Sequence, residues 1–459
     1  MLRRRKTNAA ITVLLALVLV KGIILSFTIP PWQHYDEPGH FEYIRYLLLE
    51  KRLPHRSSGN QVIRREIIAS MEEQHFGAYQ RGWHSPSLLD SNLVVPLTQF
   101  SHPPLYYFLC SLLIYPLARQ NLITQLYVLR LASVALNLLT VWVAFRTAKE
   151  LFPGNAWTQI AVPLFMSLLP AYMDIMSAVN NDVLANALFS LLIYIAVRVL
   201  KSGVSLSRLS AMGTVLVLAL FTKRTTIISL LTPALLFMFW IQRRYGNRAC
   251  VIVTSAALAL GALAAVSLTY AWDELPDWVS TYVRVNWPEF WRSVWDWRRT
   301  MPFYQIAARI IFEGFWAHFS WGDRAFAGWV YTLLSMLSVL AFAGVIWGLL
   351  RPDKRWSVCT AQWQRQAIVF LLIMTWLIGI ITFLRIHPLP VSGQPVYIPR
   401  ARYVYVAIVP IAVLLVYGLE RFIAYAGVRA RFIRLGLVWA YLMMDWAFFI
   451  HLISYYYAS

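Results

Sequence analysis

Two adjacent carboxylates, Asp36 and Glu37, follow the first apolar run of the chain, and His40 comes about one helical turn later. A carboxylate at a membrane face, with a histidine on the same side of a helix, has the chemistry of a general base and its neighbours. The same residues also fit the start of a helix, because acidic side chains and an early proline such as Pro38 are common at helix N-termini. The sequence alone leaves both interpretations open.

Two later motifs add polar groups to the candidate site. His102 directly precedes Pro103-Pro104, and Asn181-Asp182 occupies a turn between two apolar runs. Both motifs have ordinary structural explanations, because Pro-Pro ends one segment and begins a helix, while Asn and Asp are common in turns and at helix N-caps. Taken by itself, Asn181-Asp182 is better explained as a turn.

Two basic clusters are harder to explain structurally. Lys223 and Arg224 share a tight turn between two apolar runs, and Arg400 and Arg402, followed by Tyr403, stand just before a late apolar run. Basic residues at a membrane surface often only extend their charged ends into water. A positive cluster at a helix end also suits a phosphate group. Because both clusters fall on the same side of the topology derived below, an anionic ligand is favoured.

The composition is that of a membrane protein. Apolar residues make up 59% of the 459 residues, and charged residues make up 14%, about half of the charged fraction of a soluble domain. The net charge of +20 would suggest nucleic acid as the partner of a soluble protein. Here about half of the basic residues fall in loops on one side of the membrane, where they face anionic lipid. We therefore expect membrane lipids, and no nucleic acid, as partners.

Twelve apolar runs could form membrane-spanning helices. They lie near 9–29, 103–119, 125–146, 157–179, 182–201, 206–222, 225–241, 250–270, 326–350, 366–384, 403–419 and 433–455. If all twelve crossed, the basic loops would lie outside, against the positive-inside rule. Treating 103–119 as non-crossing corrects every later loop at once, and this run is short and contains Pro116. The sequence therefore predicts eleven spans, an uncleaved first helix, a cytoplasmic N-terminus and an outer C-terminus.

This topology predicts one all-α domain over residues 1–459, with its polar chemistry in two large outer loops. The first loop, residues 30–125, carries Asp36-Glu37 and a helix whose apolar residues recur at helical spacing, so we expect that helix to lie on the bilayer surface. The second loop, residues 271–325, is Trp-rich and is also expected to form interfacial helices. Its helical stripe consists of Trp287, Trp291 and Trp295.

Ionisable residues inside predicted spans are functional candidates by default, and Arg130 and Asp445 are two of them. Asp445 lies far from the other motifs and is equally well explained as an interhelical hydrogen-bond partner. The sequence lacks glycine-rich phosphate loops, H-E-x-x-H and G-x-S-x-G. This absence argues against ATP hydrolysis, zincin proteolysis and serine-hydrolase chemistry.

The order of these motifs resembles the GT-C superfamily of membrane glycosyltransferases, especially the branch related to protein O-mannosyltransferases and lipid A aminoarabinose transferases. No single motif is specific, but five of them occur in order over most of the chain. The matches are Asp36-Glu37, His102-Pro103-Pro104-Leu105, Asn181-Asp182, Lys223 with Thr225, and Arg402-Tyr403.

The resemblance implies a GT-C-like bundle in the plasma (inner) membrane that transfers a sugar from a polyprenyl-phosphate donor to a hydroxyl of an extracytoplasmic acceptor. It implies that Asp36 is the catalytic base, with Glu37 beside it, and that no nucleotide cofactor is needed outside the cell. The departing phosphate would be stabilised by basic residues, and the remaining polar residues of the motifs would bind substrate. The basic candidates are Lys223, Arg224, Arg400 and Arg402, and the other substrate-binding candidates are His40, His102, Asn181, Asp182 and Tyr403.

Three questions stay open at this point. Asp36, Glu37, His40, His102 and Asp182 could also bind a divalent cation, so the metal requirement is undecided. A transporter or flippase of lipid-linked sugars would also use outer basic residues, although such proteins usually show two similar halves that this chain lacks. A glycan ligase with a polyprenyl-diphosphate donor would share the outer basic residues without requiring the Asp-Glu pair.

Overall fold

The computed structural model describes residues 2–54, 60–79, 99–248, 295–319, 323–351, 361–386 and 397–458. The expected span near 250–270, most of the second loop, and Trp287 and Trp291 lie outside the described residues. Within them the chain is helical apart from two paired strands of two residues each.

We number the elements in chain order among the described residues. The helices before the second loop are α1 (Leu2–Thr28), α2 (Glu37–Glu50), α3 (Gln61–Glu73), α4 (Phe76–Tyr79), α5 (Leu105–Ile114), α6 (Leu122–Leu151), α7 (Ala156–Ser167), α8 (Pro170–Ile175), α9 (Asp182–Ser202), α10 (Leu206–Leu220) and α11 (Arg224–Arg248). The later elements are α12 (Trp297–Ala317), β1 (His318–Phe319), β2 (Asp323–Arg324), α13 (Gly328–Leu350), α14 (Gln362–Leu384), α15 (Ile408–Ile423) and α16 (Ala430–Tyr457).

Seven described segments are long and apolar enough to cross a bilayer. They are Thr7–Thr28 of α1, α6, α9, α11, α13, α14, and the segment Ala401–Tyr457 that contains α15 and α16. A helix of about 20 residues spans the hydrocarbon core of roughly 30 Å. The chain is therefore an all-α, multi-pass integral membrane protein, as its composition predicts. The total of eleven spans stays a prediction.

Helix α5 stays at one end of the bundle. The end of α1 and the third turn of α6 are joined by Arg130, which donates to the carbonyl oxygens of Ser26 and Ile29 at 2.7 Å each. The chain between α1 and α6 therefore returns to the end from which it started. Helix α5 has ten residues, which rise only about 15 Å. Both observations agree with the prediction that 103–119 does not cross.

The opposite end of the bundle collects a different set of helix termini. Gln364, in the first turn of α14, donates to the carbonyl of Leu151 at the end of α6, 2.7 Å away. Arg243 of α11 donates to the carbonyl of Leu200 near the end of α9 at 3.0 Å. These are the termini that the charge distribution assigns to one membrane face. We call this end the far end, and the end with Arg130 the site end.

Helix α2 forms where the spacing of its apolar residues predicts a helix, but it does not lie on a surface. All residues from Glu37 to Leu48 are buried, because α3 and α5 cover the helix. Arg64 of α3 donates to Glu42 of α2 at 2.9 Å and so balances a charge on the covered side. Helical spacing indicates which face is apolar, but it does not reveal that another helix covers the polar face.

Two expected spans depart from simple helices. The run near 157–179 is divided into α7 and α8 at Leu168-Leu169, just before Pro170, which has no N–H to continue the ladder. The run near 403–419 begins as a 3₁₀ helix, Ala401–Ala407, before α15. Both irregular segments lie at the site end, where they place side chains that a straight helix would direct elsewhere.

Two intramembrane contacts hold the later helices in place. Asp445 of α16 pairs with Lys21 of α1, which also donates to the carbonyl of Ser167 at 3.0 Å. Asp445 is thus an interhelical partner, as one of its two interpretations predicts. Helices α13 and α15 meet backbone to backbone, because a Cβ on Gly344 would overlap the carbonyl oxygen of Gly418. Glycine permits this close approach, as in small-residue interfaces of other membrane helices.

Candidate active site

Asp36 is the N-cap residue of α2, but its side chain does not cap the helix. Its backbone is left-handed, with φ 58° and ψ 12°, and its carboxylate makes no hydrogen bond to the first turn. Left-handed backbone costs about 1–2 kcal/mol for most residues with a side chain, and Asp is one of the few that adopt it locally. The carboxylate instead pairs with the guanidinium of Arg402, which lies in the 3₁₀ helix before α15. Helix capping therefore does not account for this side chain.

A second ion pair lies beside the first. Asp182, the first residue of α9, pairs with Lys223 in the turn between α10 and α11. The Nε atom of Arg402 lies 3.9 Å from Oδ2 of Asp182, so Arg402 links the two pairs. We call Asp36, Arg402, Asp182 and Lys223 the charged cluster. These four residues are separated by up to 366 positions, and the structure brings them together.

The exposure of the two carboxylates differs. The side chain of Asp182 is 1% exposed and that of Lys223 is 3% exposed, whereas that of Asp36 is 21% exposed. Burial lowers the pKa of Lys223, and Asp182 only partly offsets this effect. A buried charge persists only when it is paired, so Lys223 and Asp182 stabilise each other. Asp36 is the carboxylate of the cluster that a substrate can reach.

Aromatic rings support the basic residues of the site. The guanidinium of Arg402 lies 4.3 Å from the ring centre of Tyr35, and Arg400 donates to the Tyr35 hydroxyl at 3.2 Å. The ring of Tyr403 lies 4.9 Å from Lys223 Nζ and 4.2 Å from the guanidinium of Arg385. Such cation–π contacts orient a charge without neutralising it. Four cations are therefore held near one another by rings as well as by carboxylates.

The two predicted histidines lie together beside the charged cluster. The His40 and His102 rings are 6.0 Å apart, and His40 Nδ1 lies 2.9 Å from the hydroxyl of Tyr107. Burial lowers the pKa of both histidines well below the usual range, and the positive charges of Arg402 and Lys223 lower the pKa of His40 further. Both rings are therefore neutral at neutral pH, so in each ring one nitrogen donates a hydrogen bond and the other accepts one.

Glu37 points away from the charged cluster, although it is adjacent to Asp36. Its carboxylate accepts hydrogen bonds from Arg130 at 2.6 and 2.9 Å and from the backbone N–H of Val179 at 3.2 Å. Both charged side chains are fully buried. Burial raises the pKa of Glu37, but Arg130, His34 and these hydrogen bonds outweigh it, so the pKa lies below its usual range. Glu37 is thus an ionised residue that ties α2 to α6.

Two other predicted residues contact the backbone rather than the cluster. Asn181 donates to the carbonyl of Thr222 at 3.4 Å, which joins the start of α9 to the turn that carries Lys223. Arg224 donates to the carbonyl of Ser101, immediately before His102. These contacts place Asp182, Lys223 and His102, so they favour a positioning function for Asn181 and Arg224.

Several groups at the site were not predicted from the sequence. Tyr35 contacts Arg402, Arg385 lies over the ring of Tyr403, and an open cleft beside Arg402 is lined by Asp174 and His318. Asp174 Oδ1 lies 2.7 Å from Nδ1 of the buried His34. The available signals were weak: Tyr35 adjoins the Asp-Glu pair, Arg385 ends a predicted span, and Asp174 is an acid near a span end.

The charges of the site suit an anion. The charged cluster has no net charge, and Arg385 and Arg400 add two positive charges beside it. Among the described residues, no three His, Cys, Asp or Glu side chains are grouped as metal ligands. The carboxylates considered for a cation are instead paired with Arg402, Lys223 and Arg130. The donor set expected for a divalent metal is therefore not assembled there.

A family model for predicted membrane proteins, DUF2142, matches residues 19–415, which include the whole charged cluster. The chain belongs to the DUF2142 family. No curated protein matches it in sequence. The likeness to solved structures is therefore carried by the fold.

Three solved structures are similar to this DUF2142 chain. The apo oligosaccharyltransferase of Archaeoglobus fulgidus has 12% identity and a TM-score of 0.50, with 97% of this chain and 56% of that chain covered. The A. fulgidus oligosaccharyltransferase AglB, with an inhibitory peptide and a dolichol-phosphate, has 11% identity and a TM-score of 0.50, with 97% and 55% covered. ArnT from Cupriavidus metallidurans bound to undecaprenyl phosphate has 14% identity and a TM-score of 0.47, with 96% and 76% covered.

The chain spans about half the length of the oligosaccharyltransferases that it matches. At this identity the likeness shows the fold alone. The predicted GT-C-like all-α membrane fold is confirmed, because this chain shares the fold of the oligosaccharyltransferase over 97% of its length.

Proposed function

We propose that this protein is a membrane glycosyltransferase that moves a sugar from a polyprenyl-phosphate donor to a hydroxyl of an acceptor. The observation that carries the proposal is the charged cluster, in which an accessible carboxylate, Asp36, shares Arg402 with the buried pair of Asp182 and Lys223. A base and phosphate-binding cations within one site are what this transfer requires. The dolichol-phosphate in the AglB complex supports a lipid phosphate as the leaving group.

In the proposed reaction the acceptor hydroxyl oxygen bonds to the anomeric carbon of the sugar, and the bond from that carbon to the phosphate oxygen breaks. The phosphate oxygen keeps the electron pair, and the carrier leaves as polyprenyl phosphate. The hydroxyl proton passes to Asp36. The proposed reaction therefore balances in atoms and electrons without a nucleotide or an external oxidant.

Arg402 has two functions in this proposal. Without donor, Arg402 pairs with Asp36. A donor phosphate would compete with the Asp36 carboxylate for the guanidinium, because Arg forms strong paired hydrogen bonds with the oxygens of either group. Donor binding would then release Asp36 to accept a proton. Lys223, Arg385 and Arg400 would stabilise the negative charge that develops on the departing phosphate.

We further propose that the site faces the extracytoplasmic side. The far end is rich in basic residues and has few acidic ones, and loops of that composition remain in the cytoplasm. The predicted cytoplasmic loops contain only three acidic residues, Glu150, Asp353 and Glu420. The active site at the opposite end would then open to a lipid-linked donor in the outer leaflet, and to the acceptor outside the cell.

The test is single-turnover transfer from a radiolabelled polyprenyl-phosphate sugar by purified protein in detergent, alongside equilibrium binding of the unglycosylated carrier. Asp36→Asn keeps the size of the side chain but removes the base, so we expect turnover to fall by ~10²-fold or more, with little change in carrier affinity. Glu66→Gln is a matched control, because Glu66 pairs with Arg45 in the same loop and is half exposed. The control should retain transfer.

Retention of full transfer by Asp36→Asn, or loss of carrier binding in that variant, would contradict the assignment of Asp36 as the base. Absence of any covalent product from the wild-type protein, with both substrates on one side, would favour a flippase instead. Mass spectrometry of the extracytoplasmic glycans and lipids from a deletion strain would identify the sugar and the acceptor for the assay.

A further inference from the structure

A second cleft lies at the far end of the bundle, where α1, α6, α7 and α9 diverge. It contains about 1800 Å³ of free space, part of it open to the surroundings. Its polar side is formed by Arg146, Lys149 and Lys201, and its apolar side includes Ile11 and Leu15 of α1. No part of the proposed transfer reaction uses this cleft.

Two of its basic residues are held by aromatic rings. Arg146 lies 5.0 Å from the ring centre of Trp142 and donates to the hydroxyl of Tyr194 at 3.0 Å. Lys149 Nζ lies 5.3 Å from the ring centre of Phe145. Neither side chain pairs with a carboxylate among the residues that the structure describes. Their charges are therefore oriented but not neutralised.

The surrounding charges leave the cleft positive. Glu150 is the acidic residue in its lining, and it is shared between Lys201 at 2.6 Å and Arg198 at 3.5 Å. One carboxylate thus serves two cations, while Arg146 and Lys149 retain full positive charge. Arg146 and Lys149 are therefore the cations of the lining that an anion in the cleft could pair with.

The apolar side of the cleft continues onto surfaces that face the bilayer. Leu19 lies one turn beyond Leu15 on the same side of α1 and is 41% exposed, and Trp142 of α6, which also lines the cleft, is 39% exposed. In a membrane these side chains contact lipid tails. The cleft therefore combines a cationic pocket near the helix ends with an apolar path along α1, which matches the two parts of a phospholipid.

We propose that this cleft binds an anionic phospholipid, with its phosphate headgroup between Arg146 and Lys149 and one acyl chain along α1. Basic pockets between membrane helices recognise such headgroups. The guanidinium supplies paired donors to phosphate oxygens, and the lysine supplies a point charge. A free anion would gain nothing from the apolar side, so the whole cleft fits a lipid better than inorganic phosphate.

The experiment uses the full chain, purified in a neutral detergent and depleted of lipid. Phosphatidylglycerol, phosphatidylcholine or inorganic phosphate is added, and binding is measured by native mass spectrometry and by the shift in thermal unfolding temperature. The test variant is Arg146→Gln with Lys149→Gln. The control variant is Arg244→Gln with Arg431→Gln, which removes the same charge from exposed positions at the far end.

We expect phosphatidylglycerol to raise the unfolding temperature of the wild-type and control proteins, and its apparent affinity to fall at least tenfold in the test variant. Equal binding of phosphatidylcholine, or an equal loss in the control variant, would overturn the proposal. A full shift with inorganic phosphate alone would overturn the lipid assignment. If the double variant does not fold, Lys149→Gln alone gives the same comparison, because its contact with Phe145 lies within α6.

Discussion

Glu37→Gln is expected to weaken folding rather than chemistry, although Glu37 is adjacent to the proposed base. The substitution removes the negative charge that Arg130 contacts through two nitrogens, at 2.6 and 2.9 Å. Arg130 would keep its hydrogen bonds to the carbonyls of Ser26 and Ile29. Its charge would nevertheless remain fully buried without a counterion.

Breaking a buried ion pair from one side costs about 3–5 kcal/mol, because the remaining charge is desolvated and unbalanced. Arg130→Met should cost a similar amount, since it leaves the Glu37 carboxylate with only the Val179 N–H and leaves two buried carbonyls without a donor. The double variant contains no isolated charge. We therefore expect it to be destabilised by less than the sum of the single variants, with a coupling energy of about 1–3 kcal/mol.

The free energy of unfolding would be measured by denaturant titration of the purified variants in detergent, and sugar transfer would be measured on the folded fraction. The expected result is a stability defect in each single variant, a smaller combined defect than additivity gives, and transfer by whatever protein is folded. If Glu37→Gln had normal stability but lost transfer, the positioning function would be refuted, and Glu37 would instead take part in the reaction.

Four further outcomes are expected. Lys223→Ala should lower both carrier affinity and turnover by roughly 1–3 kcal/mol of charged hydrogen bonding, measured by carrier binding and single-turnover transfer. In the folded protein, burial and nearby positive charges lower the pKa of His40, so near pH 6.5 the unfolded chain takes up a proton that the native state does not. The free energy of unfolding of the wild-type protein should therefore fall as the pH decreases through about 6.5, and His40→Gln should lose less of it between about pH 7.5 and 5.5. Gly418→Ala should force α13 and α15 apart and lower the unfolding temperature, which a Gly379→Ala control in an open position should not do. Cysteines placed at Arg146 and Arg244 should react with membrane-impermeant reagents only from the cytoplasm, and labelling of both from outside would invalidate the topology.

Much of the fold could be predicted because many individually weak features, such as the charge of each loop, favour the same topology. Each basic loop indicates the same side of the membrane, so the prediction that the 103–119 helix does not cross rests on residues far outside it. The division between α7 and α8 was not predicted, although Pro170 marks it in the sequence, because the run is apolar on both sides of Leu168-Leu169. The burial of α2 was not predicted either, because the charge of Glu42 is balanced by Arg64, which lies in the separate helix α3.

The residues of the site could be predicted by type, but their pairing could not. Asp36 and Glu37 are adjacent and chemically alike, and the sequence gives no reason for them to face opposite partners. The left-handed backbone at Asp36 and the buried Arg130 decide that difference. Both depend on tertiary contacts, because Arg130 lies 93 positions after Glu37 and Arg402 lies 366 positions after Asp36.

Helices α13 and α15 touch through Gly344 and Gly418, where there are no side-chain rotamers to restrict, so their association carries little entropic cost. We expect this helix pair to form early once both segments have been inserted during synthesis. Arg402 is carried on the approach to α15, whereas Asp36 enters the membrane with the first helix. The chain must therefore be synthesised beyond Arg402 before the two charges can meet, so a shorter nascent chain lacks the ion pair between Asp36 and Arg402.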